Sequence, residues 1–198
     1  MVTSGFPWDN GIHSEVIDTA NPDVVCDPLP NLPMKLAVPF GGLLMKNQPT
    51  ICGGNSDCSE QYCSQSYCYV IGNNETVAEL NEPRSGSQSV VLGWPPIPKR
   101  GPPNPGLTGS ATADRKFSKN GETEQALWVT GGFVSNTPSN STEFIRLDQP
   151  VLPGPDLPTK YFRHCITKIN EDLVALIGGY NTETTTLLVD VSHGWWQG

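Results

Sequence analysis

The chain has 198 residues, of which 20 are glycine and 19 are proline, and only 16% are charged. Such a density of the two strongest breakers of regular structure argues against a helical bundle. The formal net charge is −8 and the 12 lysines and arginines form no cluster, which excludes an electrostatic nucleic-acid binder.

The cysteines and the N-terminus indicate a piece of a longer extracellular protein. No run of about 18 apolar residues occurs, so we expect no membrane-spanning segment, and Met1–Gly5 lack the features of a signal peptide. Six cysteines, four of them between residues 52 and 68, are nevertheless typical of an oxidising compartment. Glycosylation sequons begin at Asn74 and Asn140. We expect an extracellular or cell-surface protein, with a cytoplasmic location as the alternative.

A doublet that ends in glycine recurs four times along the chain. The doublets are Ser4-Gly5, Gly53-Gly54, Gly131-Gly132 and Gly178-Gly179, with steps of 49, 78 and 47 residues between their first members. Two of the steps fit one period, and the third carries about 30 extra residues. A fixed period of this length indicates a repeat architecture.

Short apolar runs accompany the doublets in a constant order. The runs that end at a doublet are Pro49–Cys52, Ala126–Thr130 and Leu173–Ile177. The runs that follow a doublet are His13–Ile17, Tyr67–Ile71, Glu143–Leu147 and Thr186–Val191. Proline-punctuated runs, typical of edge strands, come third: Cys26–Pro30, Trp94–Pro98 and Leu152–Pro155. A fourth run leads back to the doublet, most clearly Phe162–Ile169. Four short strands per repeat predict β-propeller blades, with a β-sandwich as the alternative.

The sequence resembles the kelch family at three places: Val129-Thr130-Gly131-Gly132-Phe133, Leu176-Ile177-Gly178-Gly179-Tyr180, and Leu188-Val189-Asp190 with Trp195. The resemblance implies an all-β fold, a kelch-like β-propeller segment of about four four-stranded antiparallel blades in an incomplete ring. The units are expected at residues 1–35, 36–94, 107–153 and 159–198, with a proline-rich connection at 95–106. The structural repeat residues are Gly5, Gly53, Gly54, Gly131, Gly132, Gly178, Gly179 and Trp195.

The resemblance also implies how the clustered cysteines pair. Cys52 and Cys68 fall on two adjacent strands of one blade, and Cys58 and Cys63 fall in the loop between them. Nested disulfides, Cys52–Cys68 and Cys58–Cys63, are therefore implied. A zinc site of four thiolates is the alternative, although no Cys-x2-Cys knuckle is present. Two further cysteines have no predicted partner: Cys26 and Cys165.

The histidines do not predict a catalytic site. His13, His164 and His193 fall in different predicted strands or loops. His164 adjoins Cys165, but neighbours in a strand point to opposite faces of the sheet, which excludes a Cys–His dyad. We expect His164 to be structural.

Galactose-oxidase-like copper radical enzymes are also built on kelch-like blades. They need a tyrosine linked to a cysteine, a further tyrosine and two histidines. The candidates in this chain are Tyr161, Tyr180, Cys165 and His164. Because the second histidine is missing, no catalytic, metal-binding or cofactor-binding residue is assigned, and no cofactor is expected.

The resemblance implies a non-enzymatic scaffold whose loops contact a protein partner, because loops on a rigid scaffold carry function. The candidate loops are Asn55–Gln65, Arg84–Gln88 and Ser135–Ser141. The remaining blades of the parent protein are expected as further partners. Pro95–Arg100 matches a polyproline ligand, but a connection between blades is the favoured interpretation. The alternatives are a fragment of a galactose-oxidase-like copper radical oxidase and a cytosolic kelch adaptor of a ubiquitin ligase.

Overall fold

The structure is a computed structural model that describes residues 2–3, 14–16, 27–28, 31–44, 48–58, 61–72, 75–93, 125–147, 149–180 and 185–191. Its strands, in chain order, are β1 (Val2–Thr3), β2 (Ser14–Val16), β3 (Asp27–Pro28), β4 (Phe40–Leu44), β5 (Gln48–Cys52), β6 (Asn55–Cys58), β7 (Gln61–Ser64), β8 (Tyr67–Val70), β9 (Thr76–Glu79), β10 (Arg84–Ser85), β11 (Gln88–Gly93), β12 (Gln125–Thr130), β13 (Phe133–Val134), β14 (Thr137–Pro138), β15 (Thr142–Ile145), β16 (Leu152–Pro153), β17 (Cys165–Lys168), β18 (Leu173–Ile177) and β19 (Thr186–Asp190).

Four antiparallel sheets follow one another along the chain. Sheet I has the order β1-β2-β3, sheet II β4-β5-β8-β9, sheet III β11-β12-β15-β16, and sheet IV β17-β18-β19. Two smaller sheets are β6-β7, which lies between the second and third strands of sheet II, and β10-β13-β14, in which β10 precedes sheet III and β13-β14 lies between its second and third strands. The described residues form no helix, and none of their sheets closes on itself. This confirms the predicted all-β fold of antiparallel sheets in an incomplete propeller-like arrangement.

Consecutive sheets meet along their first strands. Strand β4 contacts β11, and β11 contacts β17. The hydroxyl of Ser89 on β11 donates to the carbonyl of Gly41 on β4 at 2.7 Å. Because the first strands lie side by side, neighbouring sheets stack face to face.

Two apolar layers fill the spaces between the described sheets. The layer between sheets II and III contains Phe40, Cys52, Cys68, Leu127, Val129 and Ile145. The layer between sheets III and IV contains Ala126, Trp128, Phe144, Val174, Leu176, Leu187 and Val189. Neighbouring residues of β12 alternate between the two layers, as the twofold period of a strand requires. The second strand of sheet III is therefore buried on both faces from Ala126 to Thr130.

The glycine doublets have one backbone conformation in all three sheets where they are described. The first glycine has φ near +60° and the second near +100°: 57° and 93° at 53–54, 56° and 93° at 131–132, and 64° and 104° at 178–179. At Gly131, a Cβ would collide with the carbonyl oxygen of Tyr161. The next amide, that of Gly132, donates to that same oxygen at 2.7 Å. Glycine is thus needed for both the backbone conformation and the close approach of the next sheet. The other two predicted repeat residues, Gly5 and Trp195, lie outside the described residues.

The pairing of β11 differs from the sequence-based division of the chain. We expected residues 36–94 in one unit, but β11 pairs along its whole length with β12 and is the first strand of sheet III. Gly93 is the register partner of Gln125, so residues 94–124 join two neighbouring strands of one sheet instead of two blades. The outer strand of sheet II is β9, which carries no proline. The predicted edge run Trp94–Pro98 lies outside the described residues.

A buried arginine joins sheets II and III. Arg84 is fully buried, and its guanidinium donates to Glu143 Oε1 at 2.6 Å and to the Gly131 carbonyl at 3.0 Å. The remaining partners of this guanidinium are Ser141 and Glu82. Its main-chain carbonyl accepts a hydrogen bond from the amide of Gly54 at 2.9 Å. One residue therefore touches the doublets of two sheets.

The neighbouring sheets use apolar pairs where sheet III uses this ion pair. Arg84 lies four residues before β11, the first strand of sheet III. Glu143 is the register partner of Val129, which lies two residues before the doublet. The corresponding pairs, by the same two rules, are Leu36 with Tyr69 in sheet II and Tyr161 with Leu187 in sheet IV. Each pair lies within one apolar cluster.

We expect Arg84→Tyr to lower the free energy of unfolding by about 3–5 kcal/mol, because it leaves the Glu143 carboxylate buried without its cation. The double variant Arg84→Tyr/Glu143→Leu copies the pair of sheet IV and should recover most of that loss. Urea unfolding of the two variants measures the difference. A double variant no more stable than the single one would contradict this account of the joint.

A disulfide links the second and third strands of sheet II. Cys52 and Cys68 are register partners with Cα atoms 4.0 Å apart, and their sulfurs are bonded. We expect the variant Cys52→Ala/Cys68→Ala to have a free energy of unfolding about 3 kcal/mol lower than wild type. The reason is that the crosslink no longer restricts the entropy of the unfolded chain over a loop of this length. The control is Cys165→Ala, because that thiol is free and exposed. Thermal unfolding that is equal in the two variants would show that the crosslink contributes no stability.

Candidate functional site

Loops from sheets II, III and IV border one depression of about 190 Å³. We call it the recess; its described lining residues are Val38, Asn55, Ser85, Gly86, Phe133, Asn136 and Arg163. Each of the three predicted binding loops contributes to it: Asn55–Gln65, Arg84–Gln88 and Ser135–Ser141. The structure thus brings together loops that lie up to 80 residues apart in the sequence.

Three of the lining residues occupy one repeat position. Val38, Gly86 and Arg163 each lie two residues before the first strand of their sheet. Their φ angles are 49°, 60° and 53°, in the left-handed region. The amide of Gly86 donates to the Val38 carbonyl at 3.0 Å, and the amide of Arg163 donates to the Gly86 carbonyl at 2.9 Å. Left-handed backbone is disfavoured for valine and arginine, so the hydrogen bonds between sheets hold it there.

The rim of the recess is a tight hairpin turn. Ser135 and Asn136 connect β13 to β14 and both have positive φ, 49° and 62°, as in the type I′ turns that suit two-residue hairpins. The Thr137 hydroxyl donates to the Val134 carbonyl at 3.0 Å across this turn. Asn136 is exposed at the tip, where its side-chain amide borders the recess.

A row of aromatic rings packs against the recess through Phe133. The ring of Phe133, which lines the recess, meets Phe162 edge-on with 4.3 Å between ring centroids. Phe162 in turn lies 5.0 Å from Tyr180. Aromatic pairs at such distances are favourable beyond the area that they bury. The sequence does not predict Val38, Phe133 or Arg163 as site residues; the two-residue distance of Val38 and Arg163 to the first strand of their sheet is visible only once those strands are known.

His164 is buried between sheets III and IV. The His164 Nε2 is hydrogen-bonded to the Thr130 hydroxyl at 2.8 Å, and this hydroxyl also lies 3.2 Å from the Gln88 carbonyl oxygen. The Nδ1 atom has no partner among the described residues, and the ring meets Tyr161 edge-on. Burial lowers the pKa of His164 from 6.5 to about 4. The neighbouring Cys165 is exposed, so the two side chains point to opposite sides as predicted.

The other predicted residues have mixed positions. Cys63 is disulfide-bonded, and the side chain of its expected partner Cys58 lies outside the described side chains. The Cys52–Cys68 bond consumes two of the four thiolates that a zinc site would need. The Asn140 amide donates to the Leu157 carbonyl at 3.1 Å. Four of the residues discussed above lie outside the described part of the chain: Asn74, Cys26, His13 and His193.

The described residues do not assemble a copper site. Within them, no group of three or more His, Cys, Asp or Glu side chains converges. Tyr161 is buried whereas Tyr180 is 58% exposed, and His164 uses its Nε2 for the bond to Thr130. We derive no copper chemistry from this arrangement. None of the described residues forms a helix of the length and apolarity that crossing a membrane requires.

Neither a protein-family model nor a curated protein matches the sequence of the chain. Among solved structures, the chain is similar to one described as a novel fungal alcohol oxidase with catalytic diversity among the AA5 family, in complex with copper. The TM-score is 0.44 and the sequence identity 9%, with 97% of this chain and 51% of the other covered. The chain therefore spans about half the length of that structure.

The pKa of His164 predicts how stability depends on pH. Between pH 6.5 and 4 the unfolded chain binds a proton at this histidine and the folded chain does not, so stability falls as the pH is lowered. We expect wild type to lose about 3 kcal/mol more than His164→Gln between pH 7 and pH 4. Urea unfolding at several pH values measures the difference, and the two histidines shared by both proteins cancel. Parallel pH curves would contradict the burial of a neutral histidine.

Proposed function

We propose that the chain is part of a non-enzymatic, kelch-type propeller scaffold that binds a protein partner at the recess. One observation carries the proposal: three consecutive sheets contribute to a single open depression. A surface composed from several repeats of a rigid array is the arrangement by which repeat proteins bind partners.

The buried residues that join the sheets, which we call the frame, differ from the residues that line the recess, and this difference supports the proposed function. The residues that join the sheets, such as Arg84 and His164, are buried, and their hydrogen bonds go to other buried groups, the Gly131 carbonyl and the Thr130 hydroxyl. In contrast, Val38 is 37% exposed, and Asn136 and Arg163 are also exposed. The frame therefore fixes the backbone of the recess and leaves these side chains available to a ligand.

Two further features support the kelch assignment and an extracellular location. Three glycine doublets share one conformation, and two of them, Gly53-Gly54 and Gly131-Gly132, make the same hydrogen bond to the residue four positions before the next sheet, as a repeat family requires. The Cys52–Cys68 disulfide is typical of proteins that fold in an oxidising compartment. Further blades, which would complete the ring around the recess, belong to the same proposal.

Selection of random peptides on phage against the full chain tests the proposal. We expect enriched peptides to slow amide hydrogen exchange in residues 36–40, 84–88, 133–138 and 161–165. Val38→Asp should abolish their binding. The matched control is Leu152→Asp, because Leu152 is equally exposed, at 36%, but lies on the outer strand β16.

Two results would contradict the proposal. Peptides that protect only other surfaces, or no enrichment at all, would remove the recess as a binding site. Copper-dependent oxidation of an alcohol by the full chain, with a tyrosine–cysteine crosslink seen as a mass loss of two hydrogens, would establish an enzyme in place of the scaffold.

A further inference from the structure

Arg163 is the single charged residue among the described lining residues of the recess. It is exposed, and its guanidinium has no ion pair or hydrogen bond with any residue that the structure describes. Its main chain, by contrast, is fixed by the hydrogen bond from its amide to Gly86. The Cα of the arginine is therefore fixed beside the recess, and its charge is not neutralised by the described part of the chain.

The backbone does not explain why arginine stands at this position. Its φ of 53° is a conformation that side chains disfavour, and Gly86, at the same repeat position, adopts 60° without that penalty. Strained backbone that carries an exposed polar side chain is a feature of binding and catalytic sites. The presence of arginine at this position is thus better explained by a function of its guanidinium than by the backbone.

The surroundings of the guanidinium select the chemistry of a ligand. Asn55 lines the recess, and because its Oδ1 accepts a hydrogen bond from Ser64 at 3.2 Å, its Nδ2 group is the part of the side chain that can donate to a ligand. The Asn136 amide offers further donors at the rim, and none of the described lining residues is acidic. Val38 and Phe133 supply apolar walls. Donors, one cation and apolar walls suit a carboxylate on a short aliphatic stem.

We infer that the recess binds an acidic side chain of the protein partner, with its carboxylate on Arg163. The inference rests on the proposed scaffold function and specifies the chemistry of its ligand. The net charge of −8 makes it sharply testable, because the whole chain repels an acidic peptide and any binding must come from a local cationic site.

The test is the fluorescence anisotropy of a labelled hexaglutamate peptide titrated with the full chain at low ionic strength. We expect saturable binding that weakens at least tenfold in Arg163→Gln and in Arg163→Gly. The matched control is Lys160→Gln, which removes the same charge from an exposed residue outside the described lining and should leave the affinity within twofold.

The Arg163→Gly variant separates binding from folding. Because Gly86 adopts the same conformation at the equivalent position, this variant should keep the hydrogen bonds between sheets and unfold at a temperature no lower than wild type. A loss of affinity with unchanged thermal unfolding then reports the guanidinium alone.

Three results would overturn the inference: no binding of hexaglutamate by wild type, equal binding of hexaglutamine, or equal loss of affinity in Lys160→Gln. Failure of this inference is distinguishable from failure of the scaffold function. If selected peptides protect the recess but contain no acidic residue and bind Arg163→Gln normally, the scaffold function stands and the acidic ligand is excluded.

Discussion

The structure depends on how one sheet is attached to the next, and Arg84 shows this constraint most fully. Its carbonyl reaches the doublet of sheet II while its guanidinium holds the doublet of sheet III. An apolar pair, as at the neighbouring sheets, tolerates small displacements, whereas a guanidinium with several fixed acceptors does not. The ion pair with Glu143 therefore fixes Arg84 on sheet III, and the Arg84 carbonyl attaches this fixed residue to Gly54 of sheet II. The ion pair stabilises less than its distances suggest, because both charges have lost their water.

The recess is a consequence of these attachments. The hydrogen bonds from one sheet to the next bring positions 38, 86 and 163 side by side and force all three into left-handed backbone. Val38 and Arg163 are exposed and belong to neither of the two apolar layers between the sheets. The sheets can vary the residue at this position, as valine, glycine and arginine show, without changing the frame.

The sequence was sufficient to predict the glycine-containing repeat but not to predict all the residues that line the recess. Gly131 and Gly178 could be recognised because only glycine satisfies their backbone, and the apolar runs before them became β12 and β18. Strand β11 was missed because residues 94–124 separate it from its partner β12, so its apolar run had lost the expected distance to a doublet. Arg163 was missed for a different reason: positive φ at arginine comes from hydrogen bonds between sheets, and no local pattern encodes it.

The register between β11 and β12 places the pair Gly93 and Gln125 at the end of sheet III that is opposite the recess. Strand β11 starts two residues after the recess position Gly86 and ends at Gly93, about 20 Å further along for a strand of six residues. The long segment between Gly93 and Gln125 thus departs from and returns to the end of the sheet opposite the recess. A fluorophore or a surface linker attached at Gly93 or Gln125 would lie at the end of the sheet opposite the recess, so the chain can be immobilised with its recess facing solution.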